Sequence, residues 1–392
     1  MPSRRSVRSA AIAGTLGLAG AYAFEAAQYH RAGAKGFELE QPPAPGTPDF
    51  ARLVEALTAA PLRQGNRVTV LRNGDEIFPA MLAAIQDAEK TVDFATYVYW
   101  TGSIAPRFAG ALAERARAGV EVNVLLDAVG AARMEPELAE RLEEAGATVA
   151  WFRPVRWWTL HKLNNRTHRK ILVVDGRVGF TGGVGIAEEA TQCILSGREH
   201  LPDLEGHDDG VQVQVTRSTA QKGSTDAEHL FYAAIACARE RLWLTTAYFA
   251  PRRAFVEALC AAVARDVDVR VLVNGPHIDA EAVRQAGRRS YDRLLSCGGR
   301  IFEYQRTMLH AKVLVVDSAW ATVGSINFDN RSFALNDELN LSVRDPAVVA
   351  ELEKHFLDDS GDAVELDLAR WRARSLSARA RELGSAVLRR EL

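Results

Sequence analysis

The chain is poor in the residues that advertise metal or redox chemistry. Its four cysteines, Cys193, Cys237, Cys260 and Cys297, are scattered over 392 residues and form no CxxC pair. Neither a metal-ligand nor a paired-thiol spacing is therefore present, and the cysteines read as free thiols, mostly in the core. There is no HExxH and no carboxylate cluster with ligand spacing, so no metal site is expected and no cofactor is implied. Basic charge is not in excess: 48 Lys and Arg stand against 50 Asp and Glu, a net of −2. Without an overall positive field, nucleic acid is not an expected partner. A membrane-spanning run is lacking as well. The uncharged stretch from Ser9 to Phe24 falls short of the roughly 20 apolar residues that cross a bilayer.

What remains is an ordinary globular composition, 47% hydrophobic and 25% charged. The length suffices for two domains with sizeable cores. At the N-terminus, Arg4, Arg5 and Arg8 precede the uncharged stretch, which Glu25 closes. Three readings fit: a short membrane anchor with its arginines inside, a cleaved signal peptide ending near Ala21-Tyr22-Ala23, or a surface helix. The proline-rich segment from Gly36 to Phe50 reads as a linker.

One short pattern occurs twice. His168, Lys170 and Asp175 lie in THRKILVVDG, and His310, Lys312 and Asp317 lie in LHAKVLVVDS. The spacing is the same each time, and small residues follow, Gly182-Gly183 in one copy and Gly324-Ser325 in the other. Residues two apart on a strand share a face, so each copy projects one imidazole and one ammonium together. The apolar runs Ile171 to Val174 and Val313 to Val316 read as strands buried on both faces. Asp175-Gly176 is a tight-turn signal that returns the chain as a second strand. Brought together, two cations would hold a phosphoryl oxyanion, and two imidazoles would divide the roles of nucleophile and general acid. Histidine suits both, since its reference pKa of about 6.5 lies near working pH.

These paired motifs resemble the HxKxxxxD motifs of the phospholipase D superfamily. The stretch from Gly324 to Phe333, followed by Asn336-Asp337-Glu338, resembles its bacterial cardiolipin synthase branch, as do Thr245 to Pro251 and Leu125 to Gly130. The resemblance spans roughly residues 65 to 345. It implies two pseudo-symmetric α/β/α domains with largely parallel mixed sheets and the active site at their interface. It implies a phosphatidyltransferase that joins two phosphatidylglycerol molecules through a phosphohistidine, with His168 as nucleophile and His310 as acid. A phospholipid substrate and a bacterial inner-membrane surface follow as partners; nothing sets an oligomeric state. A hydrolytic phospholipase D, or another phosphodiesterase including a nuclease, would use the same residues and stays open.

The resemblance also furnishes the site. Asn327 is implied as a donor to the phosphoryl group, with Ser325 and Arg166 as phosphate contacts or supports. The position matching Asn327 in the first half is Gly185. Glu338 is implied as the acidic partner of a catalytic histidine, and Asp208 or Asp209 is a candidate for the other. A second half furnished with Asn327 and Glu338 would hold His310 protonated. Asp175 and Asp317 are expected to brace the strand turn more than to do chemistry. Arg156-Trp157-Trp158 and the basic segment from Leu366 to Arg381 are candidate membrane contacts, or loops and helices docked on the body.

Strands alternating with helices lead into each motif, in the same order both times. The expected division is 1–33 anchor or signal, 34–50 linker, 51–210 first domain, 211–350 second domain and 351–392 a C-terminal helical segment.

Overall fold

The computed structural model describes residues 39–155, 165–186, 190–191, 193–197, 210–219 and 226–375. The N-terminal anchor or signal candidate, Arg156-Trp157-Trp158, Asp208, Asp209 and the chain beyond Ser375 lie outside the described residues.

Two sheets carry the two motifs. The first has seven strands, in spatial order Val68–Arg72, Cys193–Gly197, Val178–Gly182, Ile171–Val174, Thr91–Thr96, Glu121–Asp127 and Thr148–Phe152. The second has nine: Leu62–Asn66, Val211–Ser218, Glu338–Arg344, Trp320–Gly324, Val313–Val316, Arg241–Thr245, Asp268–Asn274, Arg300–Tyr304 and Ala363–Glu365. Five consecutive strands match in order between the sheets. In both, the motif strand pairs antiparallel with the strand that follows it, and antiparallel with the first of three parallel strands. Parallel pairing is confined to those three strands in each sheet. The rest is antiparallel, because each motif strand returns through a tight turn instead of a helix.

The turns explain both motif aspartates. Asp175 and Gly176 have φ of 53° and 62°, and Asp317 and Ser318 have 52° and 51°. Two successive left-handed residues form the hairpin turn that matches strand twist. Glycine meets that demand at 176 without strain, whereas Ser318 does so with a side chain. Each aspartate accepts three backbone N–H groups from the start of the neighbouring strand: Glu89, Lys90 and Thr91 for Asp175, and Arg239, Glu240 and Arg241 for Asp317.

Helices cover the sheets. Asn73–Gln86, Ile104–Arg117 and Pro136–Glu144 bury Ile77, Met81, Phe108, Leu112 and Leu142 against Val92, Phe94 and Val124. Each large apolar side chain so buried contributes roughly 1.5–3 kcal/mol. In the second half Asp226–Cys237, Arg253–Val263 and Tyr291–Ser296 do the same around Phe255, Phe328 and Phe333. Helix Pro346–Gly361 covers the other face, stacking Phe356 on Trp243.

Three expectations need correction. Helix Pro48–Thr58, capped by Thr47, belongs to the core of the second half: Phe50 is fully buried with its ring 5.6 Å from that of Trp320. Strand Leu62–Asn66 likewise pairs into the second sheet, so the first domain does not begin at residue 51. The linker reading fails at Phe50 for the same reason, since apolar burial fixes it. Finally, Cys260 and Cys297 form a disulfide between two neighbouring helices of the second half. Cys237 is a buried free thiol, as expected.

Candidate active site

The two motif strands end at the seam between the sheets, where the rings of His168 and His310 lie with centroids 6.5 Å apart. Lys170 and Lys312 are buried beside them, each ammonium donating to the carbonyl of its own motif histidine, at 2.7 Å and 2.6 Å. The i, i+2 geometry of a strand thus becomes a fixed imidazole–ammonium pair in each half.

Main-chain bonds bind the halves crosswise. The His168 amide donates to Asp337 O and the Asp337 amide to Arg166 O, both at 2.8 Å. At Gly183 an added Cβ would stand 2.4 Å from the His310 carbonyl oxygen. That glycine lets the second motif press against the first half.

Glu338, on a strand of the second half, faces His168 and not the histidine of its own half. His168 Nδ1 lies 2.9 Å and 3.0 Å from the two Glu338 carboxylate oxygens and 3.1 Å from the Ser325 carbonyl. A carbonyl oxygen can only accept, so Nδ1 carries the proton and Nε2 keeps its lone pair. The Ser325 hydroxyl also donates to Glu338, as does the Asn336 amide at 3.2 Å. His310 differs. Its Nδ1 is buried without a hydrogen-bond partner among the described residues. The expectation that Glu338 keeps His310 protonated is therefore overturned, because the Asp337 backbone pairs with Arg166 and His168 and so sets Glu338 against the first motif.

The remaining implied residues divide. Arg166 donates to Asp127 through Nε at 3.0 Å and to the Phe152 and Arg153 carbonyls at 2.8 Å and 3.1 Å. It braces the segment before His168. Asp127 was missed as a functional residue; an acidic residue closing the buried run LLD was the available signal. Asn327 is buried, its backbone N–H donating to Ser332 Oγ at 3.1 Å while its side-chain Oδ1 has no partner among the described residues. Gly185 cannot be a matching donor: a Cβ there would stand 2.7 Å from Val98 Cβ.

Burial dominates the electrostatics. It holds His168, His310 and Lys312 well below their ordinary pKa values, and the neighbouring lysines push further the same way. Lys170 is brought down to about 7 by burial, partly opposed by Glu338 and Asp127. Glu338 is pushed up to about 7, again by burial. Cations this poorly solvated are matched to an anion that has yet to arrive, and a phosphodiester between them would restore their charge.

Comparison with known proteins gives a consistent picture. A family model described as cardiolipin synthase, PLD-like domain, matches residues 81–196 and 231–360. Cardiolipin synthase 2 of Bacillus anthracis is 32% identical over 368 residues, covering 84% of this chain and 71% of that protein. A cardiolipin synthase of Geobacillus kaustophilus is 31% identical, covering 88% and 76% respectively. Among solved structures, phosphatidylserine synthase of Haemophilus influenzae superposes with a TM-score of 0.70 over 88% of this chain and all (100%) of its own, at 12% identity. At that identity the likeness concerns the fold.

Proposed function

Because the chain belongs to the cardiolipin synthase family with its phospholipase D-like domain, we propose that it moves a phosphatidyl group between two phosphatidylglycerol molecules, yielding cardiolipin and glycerol. His168 Nε2 attacks the phosphorus of the first lipid. The bond from phosphorus to the headgroup glycerol breaks, and the departing alkoxide takes a proton from His310. Glycerol leaves behind a phosphatidyl–histidine. His310, now neutral, removes the proton from a headgroup hydroxyl of the second lipid, whose oxygen attacks phosphorus and releases His168. Lys170 and Lys312 hold the non-bridging oxygens throughout, with Asn327 as a further donor. Positioned proton transfer of this kind is worth about 10²–10⁴-fold.

The observation that carries this reading is the tie on His168 Nδ1. With Glu338 and the Ser325 carbonyl on that nitrogen, only Nε2 is available as a nucleophile. The test is lipid mass analysis of a bacterial host lacking its own cardiolipin synthases. Cardiolipin should appear with this chain and be absent with His168→Ala; its absence with the parent chain overturns the reading.

The reaction takes place at a bacterial membrane surface. No helix among the described residues is long and apolar enough to cross a bilayer, so in this reading contact comes from residues 1–33 or from the surface. Val129, Trp151 and Val155 support the second route, being 39%, 39% and 54% exposed near the strand ends of the first sheet. Aromatic and apolar side chains at such an edge suit a headgroup boundary.

A further inference from the structure

The two halves present different groups at the mouth of the site. Over His310 stands Tyr248, its ring edge-on with centroids 6.2 Å apart. The Tyr248 hydroxyl donates to Asp279 Oδ1 at 2.6 Å. Burial and then the Asp279 charge hold that phenol well above its ordinary pKa, so it stays a donor. Asp279 itself is exposed, in the loop between strand Asp268–Asn274 and helix Glu281–Arg288. Its charge is nonetheless felt by the buried Lys312 and by Tyr97 of the opposite half. Asp279 is thus open to solvent and within electrostatic reach of the second motif and of Tyr97 across the seam.

The first half also sets a tyrosine edge-on to its motif histidine, Tyr97 with its ring centroid 5.3 Å from that of His168, but among the described residues no carboxylate is hydrogen-bonded to its hydroxyl. Asp127 and Asn274 close equivalent strands, and the residue five beyond Asp127 is Ala132, where the second half has Asp279. Next to it, the Arg133 guanidinium lies 4.8 Å from the Trp100 ring centroid. The second half thus carries an exposed carboxylate beside Tyr248, where the matching stretch of the first half has Ala132 and Arg133. A carboxylate repels a phosphodiester, so it is poorly placed for the substrate's charge. It is well placed for hydroxyls. An ionised carboxylate has about four acceptor sites, and Tyr248 fills one.

We propose that Asp279, oriented by Tyr248, selects the acceptor: it accepts hydrogen bonds from a polyhydroxy headgroup and so delivers one of its hydroxyls to His310. This rests on the transferase reading above and adds which residue chooses the alcohol. A monohydroxy alcohol has no second hydroxyl to give Asp279 and gains nothing from it.

The test is a competition. Detergent-dispersed phosphatidylglycerol is supplied with isotopically labelled glycerol and 1-propanol at equal concentration, and labelled phosphatidylglycerol is measured against phosphatidylpropanol. Both products form in one reaction, so a change in total turnover does not mimic a change in their ratio. In Asp279→Ala the glycerol preference should fall about tenfold, the order expected for a lost hydrogen bond to a charged group. Asp279→Asn still accepts from Tyr248 and should fall about threefold; it also serves as the readout should the alanine variant form neither product. An unchanged ratio in the Asn variant and, where measurable, the Ala variant overturns the inference, even if cardiolipin is made. A shifted ratio in a protein that makes no cardiolipin retains Asp279 as the selector and overturns the cardiolipin reading instead.

Discussion

The strand ending at Asp127 and the strand ending at Asn274 have the same task by different means. Asp127 accepts the Thr167 amide and pairs with Arg166, a buried ion pair just before His168. Asn274 accepts the Leu309 amide at 2.7 Å and donates to the Ala247 and Leu309 carbonyls, with no charge involved. Both fix the backbone that presents a motif histidine. The charged version also satisfies the Val129 and Gly130 amides, but it leaves a stranded ion if either partner is lost. The halves are therefore equivalent in geometry and unequal in electrostatics, and their inequality extends to the histidines: Glu338 serves His168, while His310 has no described carboxylate.

Four experiments probe this inequality. The largest effect should come from the shared chemistry itself. His168→Ala and His310→Ala should each lose on the order of 10⁴-fold in turnover with an unchanged circular dichroism spectrum. A quench under alkaline conditions should find a phosphatidyl adduct on the His168 peptide. An adduct on the His310 peptide alone would reverse the assigned roles.

Next comes Glu338→Gln, expected to lower kcat/KM by about 10²-fold. It should also reshape the pH profile. Burial raises Glu338 to about 7, so its carboxylate form, which holds Nδ1–H, is lost as pH falls through that value. Lys170 is lowered to about 7, so its ammonium is lost as pH rises through the same value. The parent enzyme should give a bell centred near neutrality, and the variant should lack the acidic limb. Stability follows the opposite senses. The raised Glu338 favours the fold below the ordinary carboxylate range, an advantage lost as pH climbs through about 7; the lowered Lys170 favours it above the ordinary lysine range, an advantage lost as pH drops through about 7.

A direct comparison of the two braces should separate them in stability. Asp127→Ala strands Arg166 and should cost about 3–5 kcal/mol, whereas Asn274→Ala should cost about 1–3 kcal/mol. Denaturant midpoints decide it, and equal losses would mean that charge adds nothing to the brace. The smallest effect is expected at Gly185→Ala. With 2.7 Å between the new Cβ and Val98 Cβ, overpacking should cost about 1–3 kcal/mol, and Val98→Ala in the same chain should recover most of it.

Much of this was legible in the sequence because it is written in short-range pattern. The apolar motif strands, the Asp-Gly turn and the alternation of helix and strand each follow from a few consecutive residues. What was not legible depends on partners far apart in the chain. No local pattern directs Glu338 to His168, 170 residues earlier. None tells that Phe50 seeks Trp320, that Arg166 is tied to Asp127, or that Cys260 meets Cys297. Gly185 could be seen to lack a donor, but the reason, the nearness of Val98, exists only in three dimensions.

The bonds from His168 to Asp337 and from Asp337 to Arg166 have a consequence for how the enzyme moves. They stitch the halves together beside His168, along with the Glu338 tie. A clamshell motion that parted the halves would break these bonds and strip His168 Nδ1 of its partners. Donor, glycerol and acceptor should therefore exchange while the two halves stay held together. The His168 and Asp337 amides should accordingly exchange their hydrogens only as fast as the whole molecule unfolds.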